Sequence, residues 1–166
     1  MAPPSETLLR QPEAADAAAI SALVRHGFDR FVAPDWTPEA RQVFFEQSSA
    51  ERLAALVPAA AFAAVAERDG RLVGFILLSA PSVLAFLFVA PDHLRQGIAR
   101  RLWEAARTHV EANFPAVTTV ELNASPCAVD AYEALGFYPI SQPFRRGGCL
   151  ATRMACWLPG RALAQA

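Results

Sequence analysis

The sequence predicts a mixed α/β domain in which a mostly antiparallel sheet carries helices on both faces. A continuous apolar run over residues 83–89 has the length and content of a buried strand. Two further strand-like runs precede it, and an amphipathic helical pattern follows it from Ile98. With 166 residues, the chain is expected to form a single domain over residues 1–166, with loose ends at about residues 1–6 and 159–166.

Composition excludes several classes of protein. The formal net charge of −1 argues against a nucleic-acid partner, which requires a basic face. No apolar run reaches the ~18 residues of a membrane-spanning helix, and the starting residues MAPPSETLLR lack the features of a secretion signal. The three cysteines lack metal-ligand spacing, so we expect reduced thiols in a cytoplasm and no metal site. Arg without any Lys, together with abundant Ala, suggests a GC-rich bacterial gene.

Helix signals divide the first part of the chain into a short strand, residues 8–10, and three helices. The first helix is predicted over residues 14–26, with Gly27 expected to end it. Thr37 followed by Pro38 fits the N-cap and first residue of the second helix. The run at residues 48–51 fits a capping box and predicts a third helix that continues to residue 57.

The middle of the chain is predicted to form a three-stranded meander followed by a helix. Its strands cover residues 61–66, 72–78 and 83–89, and the run RDGR at residues 68–71 supplies hairpin turn chemistry. The helix covers residues 98–113. Its predicted buried stripe consists of Ile98, Leu102, Ala105, Ala106 and Val110.

The last part of the chain is predicted to add a strand, a helix and a closing hairpin. The strand covers residues 117–122, and Ser125 and Pro126 begin a helix that continues to residue 135. Gly136 is expected to end this helix. The hairpin pairs residues 138–145 with residues 149–158 through the turn RGG.

The loop between the strand at 83–89 and the helix from Ile98 is a candidate phosphate site. The first N–H groups of a helix have no partner inside it and lie at the positive end of its dipole. Gly97 and Ala99 keep this backbone accessible. Strand–loop–helix segments with one glycine also occur where nothing binds. The spacing matches neither the three-glycine dinucleotide motif nor a Walker loop, since no Lys follows the glycine.

Two motifs together resemble the GNAT superfamily of acetyl-CoA-dependent N-acetyltransferases: VAPDHLRQGIARRL, and ELNAS followed by AVDAYEALGF. The resemblance covers residues 8–158 and implies two central parallel strands that splay apart. The family's loop has Gln or Arg, two residues, Gly, one residue, then Gly or Ala. Gly97 and Ala99 match this pattern, whereas Leu94 stands at its first position and Arg95 supplies a charge one step late.

The resemblance also implies which residues contact acetyl-CoA. The strand end pairs with the pantetheine arm, the loop backbone binds the diphosphate, and Asn123 lies on the other side of the arm. The implied contacts are Phe88, Val89, Leu94, Arg95, Gln96, Gly97, Ile98, Ala99, Arg100 and Asn123. An alternative role for Asn123 is that of a turn residue capping the loop at Ser125.

By the same resemblance, Tyr132 returns a proton to the leaving thiolate of coenzyme A. Positioned proton transfer of this kind contributes roughly 10²–10⁴-fold to a rate. The alternative is a core aromatic side chain, because Val129, Tyr132 and Leu135 share one face of the predicted helix.

The acceptor and the general base are less defined. Phe28, Phe31 and Trp36 are hypothesised to line an apolar pocket for a small amine, with ordinary packing as the alternative. Many family members carry a Glu or His on the strand that reads VLAFLFV here, which has no ionisable group. The candidate bases are therefore His26, Asp35, Glu121 or a water chain, while His93 and His109 are expected in a loop and on a helix surface.

The implied function is transfer of an acetyl group from acetyl-CoA to a primary amine, by direct attack in a ternary complex. A small-molecule acceptor is favoured, with a protein or peptide acceptor as an alternative. A non-catalytic acyl-CoA-binding module remains open because of Leu94 and the missing base. An aminoacyl-tRNA-modifying toxin is disfavoured by the near-zero charge, and a homodimer is left open.

Overall fold

The computed structural model describes residues 5–159 and confirms the predicted class, a largely antiparallel sheet between two helical layers. Residues 1–4 and 160–166, which hold most of the two ends expected to be loose, lie outside the described residues. The strands are β1 (Leu8–Arg10), β2 (Phe62–Arg68), β3 (Arg71–Ala80), β4 (Val83–Val89), β5 (Thr119–Ala124), β6 (Tyr138–Pro139), β7 (Phe144–Arg146) and β8 (Cys149–Trp157). The helices are α1 (Ala17–Phe31), α2 (Pro38–Gln47), α3 (Ala50–Ala59), α4 (Ile98–Asn113) and α5 (Val129–Ala134).

The sheet runs in the order β1-β2-β3-β4-β5-β8-β6, and β7 pairs with β8 off this path. Every pair is antiparallel except β4 with β5, which is parallel. Side chains of β3 alternate between two cores: Ile76 and Leu78 pack with α4, whereas Phe75 and Leu77 pack with α1 and α3. The sheet is therefore covered on both faces, which is why β3 reads as a continuous apolar run.

The first helix does not end at Gly27 as predicted, but continues to Phe31. A Cβ atom on Gly27 would lie 2.7 Å from Cδ1 of Phe88. This glycine therefore permits a close approach between α1 and β4, and it does not cap the helix. A helix-ending glycine and a close-packing glycine look the same in a single sequence.

The third helix begins one residue later than the predicted capping box implies. Ser49 is its N-cap and accepts a hydrogen bond from the N–H of Arg52 (3.3 Å), while the Ser48 hydroxyl donates to the Phe44 carbonyl at the end of α2 (2.7 Å). The reciprocal bond of a capping box requires Glu or Gln where Arg52 stands, so only half of the motif forms. The helix then runs beyond residue 57 to Ala59.

The closing hairpin is interrupted where a single long strand was predicted. Residues 140–143 form no strand between β6 and β7. Pro143 has no N–H to donate to a ladder, and the Ser141 hydroxyl takes over by accepting from the N–H of Arg153 (3.0 Å).

The remaining differences are small. β5 covers Thr119–Ala124 where residues 117–122 were predicted, and a 3-10 turn at Pro126–Ala128 precedes the short helix α5. On α4, Ala105 is only half-buried, whereas Trp103, absent from the predicted stripe, is almost fully buried against Phe137.

Phe28 is at the centre of an aromatic cluster under α1 and has no exposed surface. It stacks on Phe44 with ring centroids 4.0 Å apart and meets Trp36 edge-on at 5.1 Å. Phe28→Ala is therefore expected to lower the free energy of unfolding by about 3–5 kcal/mol. Phe31→Ala should cost clearly less because Phe31 is half-buried. Equal losses in chemical denaturation of the two variants would contradict this assignment.

Candidate active site

The parallel strands β4 and β5 separate to leave an open seam in the sheet. They pair at one register position, Val83 with Glu121, and the N–H of Glu121 donates to the carbonyl of Ser82 (2.8 Å). Beyond that position, β4 stays paired with β3 and β5 with β8. The seam therefore widens from this apex towards the carboxyl ends of both strands, as the resemblance implied.

Backbone groups of β4 line one side of the seam. The N–H of Ala90 donates to the carbonyl of Val73 (2.9 Å), which fixes the alternation of the β3–β4 ladder. By that alternation, the N–H and C=O groups of Phe88 face β3, whereas those of Leu87 and Val89 face the seam. Of the two strand residues predicted to pair with the pantetheine arm, Val89 has backbone groups free for this pairing and Phe88 does not. Leu87 also has free backbone groups but was not predicted to contact the arm, because only the register with β3 distinguishes it from Phe88.

The loop after β4 has the shape of a phosphate cradle. Arg95 and Gly97 adopt left-handed conformations, with φ of 60° and 79°, and α4 begins at Ile98. Arg101 donates the first intrahelical bond, to the carbonyl of Gly97 (3.0 Å), so the N–H groups of residues 98–100 have no partner within the helix. No atom lies within 4 Å of the place where a Cβ on Gly97 would stand. The loop thus offers both free amides and space to a diphosphate.

Some side chains of the loop are fixed by hydrogen bonds within the protein, and Arg95 is not. Gln96 accepts from the guanidinium of Arg68, and Arg100 donates to the carbonyl of Ala134 at the end of α5 (2.8 Å). Arg95 is exposed and makes no side-chain hydrogen bond or ion pair within residues 5–159. Arg95 is consequently the loop cation that is free to meet an anionic ligand, while Leu94 at the family's charged position is 39% exposed.

Tyr132 lies on α5, beside the core on the α4 side of the sheet. Its ring meets Phe137 edge-on, with centroids 5.6 Å apart, which agrees with the packing alternative. Its hydroxyl forms no hydrogen bond to any other described residue. Burial raises the pKa of Tyr132 to about 12, so the phenol is protonated at neutral pH.

This pKa can be measured directly because the chain has two tyrosines. In a Tyr138→Phe variant, phenolate absorbance reports on Tyr132 alone and is expected to rise with a midpoint near pH 12. A folded-state pKa above the unfolded value means that Tyr132 stabilises the native state below about pH 10 and that this contribution is lost between about pH 10 and 12. A midpoint near the ordinary value of 10.0 in the folded protein would contradict the burial of this phenol.

The predicted acceptor residues are placed differently from one another. Phe28 is fully buried and supports the other rings, whereas Trp36 and Phe31 are half-buried. The carbonyl of Phe31 accepts from the thiol of Cys127, which lies in the loop after β5. The end of α1 therefore reaches the β5 side of the seam, on the sheet face opposite α4.

The turn between β7 and β8 contacts the start of α2. The N–H of Thr37 donates to the carbonyl of Gly148 (3.0 Å), so the turn packs onto the start of α2. A Cβ on Gly148 would collide with the Thr37 side chain, which explains why glycine stands here.

The candidate bases are separated by the fold. His26 is exposed on α1 and lines a surface cavity of about 630 Å³ beside Asp92. Asp35 lies in a short 3-10 turn between α1 and α2. Glu121 stands at the apex of the seam, ion-paired to Arg153 (Nη2 to Oε2, 2.7 Å).

His93 lies in the loop between β4 and α4 as expected, whereas His109 is less exposed on α4 than a helix-surface residue would be. His93 belongs to a 3-10 turn, and its Nδ1 is buried without a hydrogen-bond partner. His109 is half-buried on α4, with its ring centroid 5.1 Å from that of Phe62. Asn123 lies within β5 opposite Arg153, not in the following turn, so the turn role is not supported.

Over residues 5–159, no three His, Cys, Asp or Glu side chains come together as metal ligands. In the same part of the chain, no helix combines the length and apolar character needed to cross a bilayer.

Comparisons with known proteins agree with this geometry. A family model for the GNAT acetyltransferase domain matches residues 32–158. The peptidyl-lysine N-acetyltransferase YiaC of Escherichia coli (strain K12) is 29% identical over 91 residues, which are 55% of this chain. The match spans 60% of that relative, less than two thirds of its length.

Two solved structures share the fold. A GCN5-related N-acetyltransferase from Rhodopseudomonas palustris has a TM-score of 0.79 at 21% identity, covering 95% of this chain and 99% of that one. The PaiA N-acetyltransferase from Thermoplasma acidophilum, in complex with coenzyme A, has a TM-score of 0.77 at 17% identity, covering 92% and 99%. The chain belongs to the GNAT acetyltransferase family.

Proposed function

We propose that the protein transfers the acetyl group of acetyl-CoA to the primary amine of an acceptor, by direct attack within a ternary complex. The observation that carries the proposal is the continuity of the open seam with the amide-lined loop at residues 94–100. The diphosphate binds the N–H groups of this loop, and the pantetheine arm follows the free backbone groups of Leu87 and Val89. Tyr132 then protonates the leaving thiolate.

The acceptor enters from the opposite face of the sheet, between the end of α1 and the β7–β8 turn. Trp36 and Phe31 offer the apolar surface there, and Phe28 holds Trp36 from beneath. A small amine fits this arrangement. The three free cysteines fit a reducing compartment, and we propose a cytoplasmic location.

A protein acceptor is the second candidate, and similarity to a peptidyl-lysine N-acetyltransferase favours it. The chain itself contains no lysine, so it cannot acetylate its own side chains at that residue type. Any acetyl-lysine signal in an assay with purified enzyme therefore belongs to the added protein or peptide.

Thiol release from acetyl-CoA tests the proposal with a panel of small amines and a panel of lysine peptides. Release that depends on an added amine is expected. Binding of coenzyme A without any amine-dependent release would favour the non-catalytic acyl-CoA-binding module instead. A peptide-only response would replace the small amine by the protein acceptor.

A further inference from the structure

Among residues 5–159, the helices α1 and α3 pack on only part of the sheet face opposite α4. The core under α1 and α3 takes its residues from the helices and from β2, β3 and β4. On β5, Val120, Leu122 and Ala124 are buried on the α4 side, so Glu121 and Asn123 lie on the other face. On β8, Met154 and Cys156 are likewise buried against α4. Arg153, Ala155 and Trp157 therefore share the other face with Glu121, where Ala155 is buried and Arg153 and Trp157 are exposed.

Apolar side chains on this face are unusually exposed. Trp157 is 50% exposed and Val83, at the apex of the seam, is 42% exposed. Tyr138 on β6 pairs with Ala155, lies on the same face and is 45% exposed. Apolar surface gathered on one side of a cleft is typical of a binding site.

A pair of opposite charges, Arg153 and Glu121, lies beside these apolar groups on the same face. Arg153 and Glu121 are 2.7 Å apart, and their side chains keep 57% and 36% of their exposure. Both groups can therefore take additional partners, because a guanidinium has five N–H donors and a carboxylate about four acceptor sites. An exposed pair of this kind adds little to stability by itself.

The register places these side chains next to one another on the neighbouring strands β5 and β8. Glu121 lies opposite Ala155, Arg153 is two residues from Ala155 in one direction along β8, and Trp157 is two residues away in the other. Each step of two residues spans about 6.6 Å. Glu121 is also the β5 residue that meets Val83, where the thioester end of the pantetheine arm would arrive along β4.

We propose that Glu121, Arg153 and the apolar side chains beside them recognise an acceptor that carries a carboxylate beside its amine. This acceptor is an α-amino acid with a large apolar side chain. The inference rests on the proposed function and specifies its acceptor, but it seats the apolar side chain on another part of the same sheet face than Phe31 and Trp36. The ammonium group bonds to Glu121, the carboxylate to Arg153, and the side chain packs on Val83 and Trp157. The ligand thus replaces one ion pair by two charge-assisted contacts.

The same arrangement supplies a route for the protons. The Glu121 carboxylate takes one proton from the bound ammonium, and the freed nitrogen lone pair forms the C–N bond to the acetyl carbonyl carbon. The C–S bond then breaks, and the sulfur takes the proton of the Tyr132 hydroxyl. The nitrogen loses a second proton to water, Glu121 passes its own proton to water, and Tyr132 recovers one from water, so each turnover releases one proton.

Kinetics with phenylalanine, phenylalaninamide and phenethylamine test the role of Arg153. The wild type is expected to favour phenylalanine over phenethylamine in kcat/KM by about 10- to 100-fold, the worth of one hydrogen bond between charged groups. Arg153→Leu should abolish that preference, so that phenylalanine and phenethylamine give equal kcat/KM. Arg153→Lys should restore part of it. Arg52→Leu, which removes an exposed arginine from α3, is the matched control.

Other outcomes separate this inference from the proposed function. Equal wild-type values for all three amines, or acetylation of lysine peptides alone, would overturn the amino-acid acceptor and leave acetyl transfer intact. No transfer to any amine, with coenzyme A still bound, would overturn both. The wild type could instead form a dimer that Trp157→Ala dissociates, and show no preference for amines that carry a carboxylate. That result would mean that this face binds a second copy of the chain and not an amino acid. Unchanged affinity for coenzyme A shows that each variant is folded.

Discussion

Tyr132→Phe is expected to lower kcat by about 10²–10⁴-fold with little change in the KM for acetyl-CoA. The ring keeps its edge-on contact with Phe137, so packing is preserved and only the hydroxyl is lost. The thiolate must then leave without a proton, which affects the transition state and not the ground state. Such a variant lowers kcat and kcat/KM together.

The control for this variant is Tyr138→Phe, which removes the hydroxyl of the second tyrosine in the chain, on the exposed strand β6. It should retain the wild-type rate towards phenethylamine. If Tyr132→Phe keeps more than a third of the wild-type kcat, Tyr132 is a packing residue. That result would agree with the alternative that its helical face belongs to the core.

Gly97→Val is expected to weaken coenzyme A binding by about 100-fold, the equivalent of losing one or two hydrogen bonds to charged oxygens. A branched side chain at a φ of 79° strains the loop, and its Cβ occupies the open space in front of the free amides. The variant should still fold, because nothing lies within 4 Å of that Cβ to collide with it.

Gly147→Val provides the matched control. Gly147 also has a positive φ, 57°, with no atom within 4 Å of its Cβ position, but it lies in the turn before β8. Both variants should lose about 1–2 kcal/mol of unfolding free energy through backbone strain. Only Gly97→Val should lose affinity for coenzyme A in calorimetry. If both variants lose similar affinity for coenzyme A, the loss is caused by backbone strain and not by the location of Gly97 beside the free amides.

Sequence patterns predicted best where one strong local signal was sufficient. β4 and α4 have the predicted bounds, since an uninterrupted apolar run and a sustained helical period define them. The prediction that Gly27 ends the first helix is wrong because the role of this glycine depends on a distant residue, Phe88. The burial of Phe28 likewise depends on Phe44 and Trp36, which lie outside its own helix.

The site shows the same division. The loop amides follow from a glycine placed before a helix, so residues 94–100 could be named from the sequence. The seam-facing groups of Leu87 and the pairing of Glu121 with Arg153 depend on strand register. Residues 121 and 153 are far apart in the chain, and no local pattern predicts which side chains meet across β5 and β8.

Backbone amide chemical shifts, followed as coenzyme A is added, test most directly whether the loop and the seam form the donor site. The largest changes, with protection from hydrogen exchange, are expected at the amides of residues 95–100 and at Leu87 and Val89. Binding that leaves these amides unchanged would contradict the account. So would the absence of binding at millimolar coenzyme A.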